Sequence, residues 1–380
     1  MPRSAASDNK TGIRKVAVVI PCYRVGRVVL DVIDQIGDEV HAIYCVDDCC
    51  PDETGNLIAR EATDRRVRVI RHARNMGVGA AMRTGYRAAM ADGMDIVVKI
   101  DGDGQMSPAL LPRMIAPILA GEADYVKGNR FFSIDQVRGM PPIRIFGNAA
   151  LSFATKLSSG YWSLFDPTNG YTAVQTAVLA QIPLDRLADR YFFESDMLFR
   201  LNIVRAKVVD VPMAAVYGDE KSNLVISRVL LPFAGGHLRN LTTRIFYNYF
   251  LRDFHLASLE LVVGTIALLF GTIYGASAWI ANAHLGLLTS PGQVMLAALP
   301  VLSGLQLLLA FLNFDIRAEP TRAAHPGLLQ AREAETVAKT ASRRAKPRPM
   351  AENRNGMEAA PAAGIAVNRD SQETVANTNT

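Results

Sequence analysis

The residues best suited to chemistry are two aspartates one position apart, in Asp101-Gly102-Asp103-Gly104-Gln105. An apolar run, Ile96 to Ile100, stops at the first of them, so the pair should sit where a buried strand becomes a loop. Carboxylates on glycine-flexible backbone at such an edge can converge on one hard divalent cation, which takes oxygen ligands. Alone, Asp-Gly is also a common tight-turn signal, so the rest of the chain must decide between a site and a turn. Other apolar runs end in polar residues too: Lys15–Ile20 in Pro21-Cys22-Tyr23, Val40–Val46 in Asp47-Asp48, and Ala123–Lys127 in Gly128-Asn129-Arg130. Glu194 and Asp196 lie in the apolar stretch Tyr191–Leu201.

The elements that must position these groups alternate. Arg27–Ile36 has helical spacing, Pro51-Asp52-Glu53-Thr54 opens a second helix, Val67–Ile70 reads as a short strand, and Asn75-Met76-Gly77-Val78-Gly79 leads into a helix over Ala80–Ala91. This β-α-β-α-β-α-β order predicts an α/β fold with a parallel sheet and helices on both faces. Ligands in such sheets bind beyond the carboxyl ends of the strands. Three polar strand ends on that edge favour a site over a turn at Asp101 and Asp103. Further on, Phe131–Tyr161 reads as loop plus amphipathic helix, Asp166–Gly170 as a turn cluster, and Val208–Met213 as another strand.

Composition adds a second setting. The chain has 380 residues, 49% hydrophobic and 20% charged, with a formal charge of +5. Aromatic residues do not interleave with long basic runs, which argues against a nucleic-acid partner. The apolar excess is concentrated in Leu261–Ile280 and Val294–Phe314, two uncharged segments of bilayer-spanning length. The link Ala281–Gln293 has no Lys or Arg, whereas Arg317, Arg322, Arg332, Lys339, Arg343, Arg344, Lys346 and Arg348 follow the second segment. By the positive-inside bias, the link is external and both termini are cytoplasmic. The helical stretch Leu224–Phe254, with arginines among large apolar residues, fits a helix pair in the membrane interface. Met1–Lys15 lacks the apolar core of a secretory signal. The cysteines Cys22, Cys45, Cys49 and Cys50 form no zinc-type set and suit a reducing cytosol.

Taken together, Val19-Ile20-Pro21-Cys22-Tyr23, Val46-Asp47-Asp48 with Pro51–Thr54, Asn75–Ala80 and Asp101–Gln105 resemble the family 2 glycosyltransferases, and within them the polyprenyl (dolichyl) phosphate glycosyltransferases. The resemblance covers roughly Lys15 to Leu224. It implies a nucleotide-sugar-binding domain of the GT-A type in which Asp101 and Asp103 hold Mg²⁺ or Mn²⁺. Pro21, Tyr23, Asp47, Asp48, Gly77, Asp101 and Gln105 would bind the nucleotide sugar. It further implies that Arg130, Arg144, Asn148 and Lys221 receive the acceptor phosphate, and that Asp103 and Arg130 are catalytic. Asp196 joins them as general base if the acceptor is a hydroxyl, since a phosphate is already largely anionic near neutrality. Where the family commonly has Asn-Glu after the tyrosine, this chain has Arg24-Val25, so UDP and GDP donors both stay open.

The sequence thus divides into a flexible N-terminus (1–14), a cytosolic glycosyltransferase domain (15–224), amphipathic interfacial helices (225–257), two transmembrane helices (258–316) and a basic, then disordered, cytosolic tail (317–380). The expected reaction is inverting, metal-dependent transfer of a hexose from a UDP- or GDP-sugar to polyprenyl phosphate. Two rivals are transfer to a hydroxyl of a lipid-linked saccharide, and an idle nucleotide-binding membrane module. The sequence is compatible with a homo-oligomer but does not specify one.

Overall fold

The computed structural model describes residues 14–132, 142–213, 226–331 and 333–334. The chain forms two compact units, Met1–Arg332 and Glu333–Thr380, and the first holds every element named here. Seven strands make one sheet: β1 (Val16–Cys22), β2 (Val40–Asp47), β3 (Val67–Arg71), β4 (Ile96–Lys99), β5 (Tyr125–Asn129), β6 (Thr172–Gln175) and β7 (Val208–Pro212). Their spatial order is β3-β2-β1-β4-β6-β5-β7.

All neighbours are parallel except β6, which runs antiparallel between β4 and β5. The sheet is therefore mixed but mostly parallel, in keeping with the parallel-rich α/β fold expected from the sequence. The expectation missed β6 because its four residues, Thr-Ala-Val-Gln, are too short and polar-ended to stand out beside the Asp166–Gly170 turn. Its direction has a consequence. The carboxyl ends of β1, β2, β4 and β5 and the start of β6 all lie on one edge.

Strand alternation splits the core into two layers. Val18, Ile20, Val98 and Ile100 pack with α1 (Val28–Asp34) and α4 (Leu111–Leu119), while Ala17, Val19 and Val97 pack with α3 (Val78–Ala91) and α6 (Phe193–Ile203). The helix α2 (Thr54–Glu61) follows β2, and α5 (Pro142–Ser159) follows β5.

The helix α7 (Ile226–Phe246) runs on into a π-helical turn, Tyr247–Arg252, and is built inside out. His237, Asn240, Arg244 and Asn248 are buried against the domain, while Leu230, Leu231, Leu238 and Phe246 face outward. His237 bonds Ser158 Oγ at 2.8 Å, Asn240 donates to Asp196 at 3.1 Å, and Asn248 donates to Asn202 at 3.0 Å. The neighbouring α5 also exposes Phe146 and Phe153.

Two helices, α8 (Leu256–His284) and α9 (Pro291–Arg317), are long and apolar enough to cross a membrane. They meet at glycines: a Cβ on Gly304 would lie 2.6 Å from Leu268 N, and one on Gly271 would lie 2.6 Å from Ala297 O. Small residues at such crossings let the backbones approach, as membrane helix pairs require.

Within the stretch expected as a basic, then disordered, tail (317–380), residues up to 331 pack on the domain. Glu319 accepts from Trp162 N and Ser163 N at 3.0 Å, and residues 325–331 are helical. Asp124, at the opposite end of β5 from the candidate site, accepts Ala324 N at 2.7 Å and both His325 N and Nδ1 at 2.8 Å. Absence of periodicity did not signal disorder here, because the buried Asp124 carboxylate satisfies backbone N–H groups of an irregular segment.

Candidate active site

On the β1–β2 side, Tyr23 is 41% exposed and carries the Arg24 guanidinium over its ring at 5.5 Å. Pro21 pairs with Val46 in the register of the sheet. Asp47 and Asp48 reach this edge, yet their oxygens serve the chain itself. Asp47 accepts from Cys50 N at 2.8 Å and Gly55 N at 3.1 Å, closing the turn into α2. Asp48, 3% exposed, accepts from Met76 N at 2.9 Å and Gly77 N at 2.7 Å and pairs with His72 Nδ1 at 2.7 Å. Both carboxylates hold strand-end loops in place.

Gly77 has a comparable internal duty. Its φ is +97°, and a Cβ there would lie 2.5 Å from Asp189 O, which already accepts from Ala80 N at 3.1 Å. The start of α3 is thus docked on the 188–190 loop. Gly77→Ala should lower stability by about 1–3 kcal/mol, measurable as a fall in Tm, because it adds both backbone strain and a clash.

The centre of the edge is the Asp101–Gln105 loop. Asp103 Oδ1 accepts Gln105 N at 3.0 Å, a local turn that Gly104 completes at φ +77°. Asp101 and Gln105 are half-buried. Asp101 Oδ1 accepts from Lys99 Nζ at 2.7 Å, and that ammonium also stands 3.6 Å from Glu194 Oε1. Lys99 is 1% exposed. Burial alone would lower its pKa, but Asp101 and Glu194 outweigh burial and raise it. Burial dominates at Glu194, whose carboxyl is pushed up despite Lys99. Lys99 was not among the residues singled out from the sequence; it ends β4 two places before Asp101, and the first turn of the loop brings the two side chains together.

Among the described residues, no group of three or more His, Cys, Asp or Glu could hold a metal. Asp101 and Asp103 offer two carboxylates, which suits a hard cation such as Mg²⁺ that takes one or two carboxylates plus substrate phosphates.

The β5 side carries further cationic groups. Arg130 makes a two-pronged pair with Asp166, Nε to Oδ2 at 2.8 Å and Nη2 to Oδ1 at 2.7 Å, and its backbone N–H adds a third bond at 3.1 Å. Burial works against the Asp166 carboxylate, yet Arg130 and Lys127 hold its pKa below the ordinary range. Lys127, buried on β5, donates to Asp166 O and, at 3.0 Å, to Asn169 O. Burial lowers its pKa to about 8. Asp210 on β7 accepts Asn129 Nδ2 at 3.0 Å and is pushed up to about 6 by burial. Arg144 and Asn148 lie one turn apart on α5, where Asn148 is half-buried. Lys221 lies outside the described residues.

Asp196 lies on α6. It is fully buried and accepts Ala188 N at 3.0 Å, Arg200 Nε at 2.9 Å and Asn240 Nδ2 at 3.1 Å, with Arg239 at 3.5 Å. A carboxylate so engaged ties α6 to α7. Two helical residues differ by about 200° in phase, so Glu194 faces the Asp101 loop instead.

Residues 17–182 match the family model described as Glycosyl transferase family 2. The chain is 31% identical over 206 residues to undecaprenyl-phosphate mannosyltransferase of Micrococcus luteus, covering 53% of this chain and 84% of the relative. It is 28% identical over 216 residues to UDP-N-acetylglucosamine–dolichyl-phosphate N-acetylglucosaminyltransferase of Methanococcus voltae, covering 53% and 86%. Among solved structures it is similar to glucosyl-3-phosphoglycerate synthase of Mycobacterium tuberculosis, crystallised with Mn²⁺, UDP-glucose and phosphoglyceric acid. That match has 22% identity and a TM-score of 0.47, covering 61% of this chain and 79% of that one.

Proposed function

The chain belongs to glycosyl transferase family 2, and from that premise we propose that it transfers a hexose from a nucleotide sugar to the phosphate of a membrane-borne polyprenyl carrier. The observation that carries this reading is the placement of Arg130, gripped by Asp166, on the same sheet edge as Asp101 and Asp103. A planar guanidinium held in a fork is suited to a phosphate oxygen. The relatives named for undecaprenyl- and dolichyl-phosphate transfer support the same acceptor class.

In this reading Asp101 and Asp103 would hold Mg²⁺ or Mn²⁺, which supplies neutralisation of charge on the departing diphosphate. Lys127 and Asp166 hold Arg130 in place before the acceptor arrives, so little ordering remains to be done. The acceptor phosphate is its own nucleophile, with a second pKa near 6, and needs no strong base. The structural use of Asp196 accords with that. Direct displacement at the anomeric carbon would invert its configuration, as the family resemblance implies.

The membrane setting rests on α7 to α9. An outward apolar face on α7 suits a helix lying among lipid headgroups. The hairpin of α8 and α9 suits a membrane anchor. The link between those two helices lacks Lys and Arg, whereas basic residues follow the second, which favours a cytosolic catalytic domain.

The test is a transfer assay on the purified full chain, with radiolabelled UDP- and GDP-hexoses against polyprenyl phosphate and against a lipid-linked saccharide. Label should appear on polyprenyl phosphate, and Arg130→Ala should raise the acceptor KM by about 10–100-fold, the worth of a charged hydrogen bond. Labelling of the saccharide alone would instead establish a hydroxyl acceptor, and failure of every donor would point to an idle module.

A further inference from the structure

We propose that Lys99 is a built-in counter-cation for Asp101: it weakens the hold of the bare site on a divalent cation, so that tight binding waits for the diphosphate of the donor. The inference rests on the assignment of Asp101 and Asp103 to that cation.

The geometry is specific. Lys99 is 1% exposed, and its ammonium lies 2.7 Å from Asp101 Oδ1 and 3.6 Å from Glu194 Oε1. Gly170 leaves the necessary room, since a Cβ there would overlap Lys99 Nζ and stand 2.6 Å from Asp101 Oδ2. One oxygen of Asp101 is therefore already engaged, and a fixed positive charge sits within the first few ångströms of any cation at the other. Like charges at that range repel strongly away from bulk water. With no cluster of three metal-binding side chains among the described residues, the bare edge has little to offset that repulsion. A nucleoside diphosphate brings both the missing charge and the missing oxygens. A cation held on these terms leaves with the diphosphate product, and the edge returns to its starting state.

Lys127 provides the contrast. It faces the same β6 residue, Thr172, from the other side, but bonds main-chain carbonyls rather than a candidate cation ligand. Its removal should disturb the acceptor side and leave cation affinity alone.

The experiment is calorimetric titration of Mn²⁺ into the detergent-solubilised full chain, alone and with UDP or GDP present. The native protein should bind Mn²⁺ weakly alone and much more tightly with nucleotide. Lys99→Met should tighten nucleotide-free binding by about tenfold or more, within the range by which outer groups tune metal affinity, and so narrow the gap. Lys99→Gln keeps a hydrogen-bond donor without the charge and should shift the same way if the methionine variant misfolds. An unchanged or weaker nucleotide-free affinity in a folded Lys99 variant would overturn the proposal, as would native binding that ignores nucleotide. Native protein that takes up no Mn²⁺ even with nucleotide would overturn the cation assignment itself, and this inference with it.

Discussion

Asp103→Ala is expected to lower the transfer rate by about 10³-fold or more while the protein stays folded. A cation facing a departing diphosphate contributes several kcal/mol of charge stabilisation, and each 1.36 kcal/mol is tenfold in rate. Asp103 stands on a loop beyond β4, and its bond to Gln105 N is a local turn contact worth about 1 kcal/mol. Initial rates with labelled donor, read beside a thermal unfolding curve, separate loss of chemistry from loss of fold. Retained turnover in the variant would sink the cation role of this loop.

Asp315→Ala is expected to have the largest effect on stability, about 3–5 kcal/mol, as breaking a buried ion pair does when it leaves the partner charge stranded. Asp315 lies near the end of α9 and is 3% exposed. It accepts from Arg244 through both oxygens at 2.6 and 3.0 Å, from the Tyr249 hydroxyl at 2.6 Å and from Trp162 Nε1 at 3.0 Å. One carboxylate therefore joins α9, the inside-out helix α7 with its π-helical turn, and the catalytic domain. Thermal unfolding in detergent should show a large drop in Tm. The double variant Arg244→Met/Asp315→Leu, which strands no charge, should recover much of it. A drop as large in the double variant would show that shape rather than charge pairing holds this junction.

The placement of the strand-end carboxylates on one edge was legible because it is local. A β-branched run that stops at Asp101, or at Asp47, names both the strand and its end within a few residues. Parallel alternation then puts those ends on one edge whatever the details of packing. The two membrane-length helices were legible for a similar reason, since length and apolarity are summed along the chain.

What only the tertiary structure decided depends on partners distant in sequence. Glu194 and Asp196 look alike in an apolar stretch. Helix phase, and the hydrogen bonds of buried Asn240 and half-buried Arg200 to one of them, turned Asp196 into a structural tie and left Glu194 with Lys99. Asp47 and Asp48 were readable as strand-end carboxylates, but not as the groups that cap loops at Gly55 and Gly77. The antiparallel β6 was hidden by its brevity, and the docking of 324–325 on Asp124 by a separation of 200 residues. Local pattern therefore determined the class of fold, the sheet edge on which the strand-end carboxylates gather and the two long apolar helices. The choice among like charges was made by the fold, because a buried carboxylate takes its role from whichever distant hydrogen-bond donors pack against it.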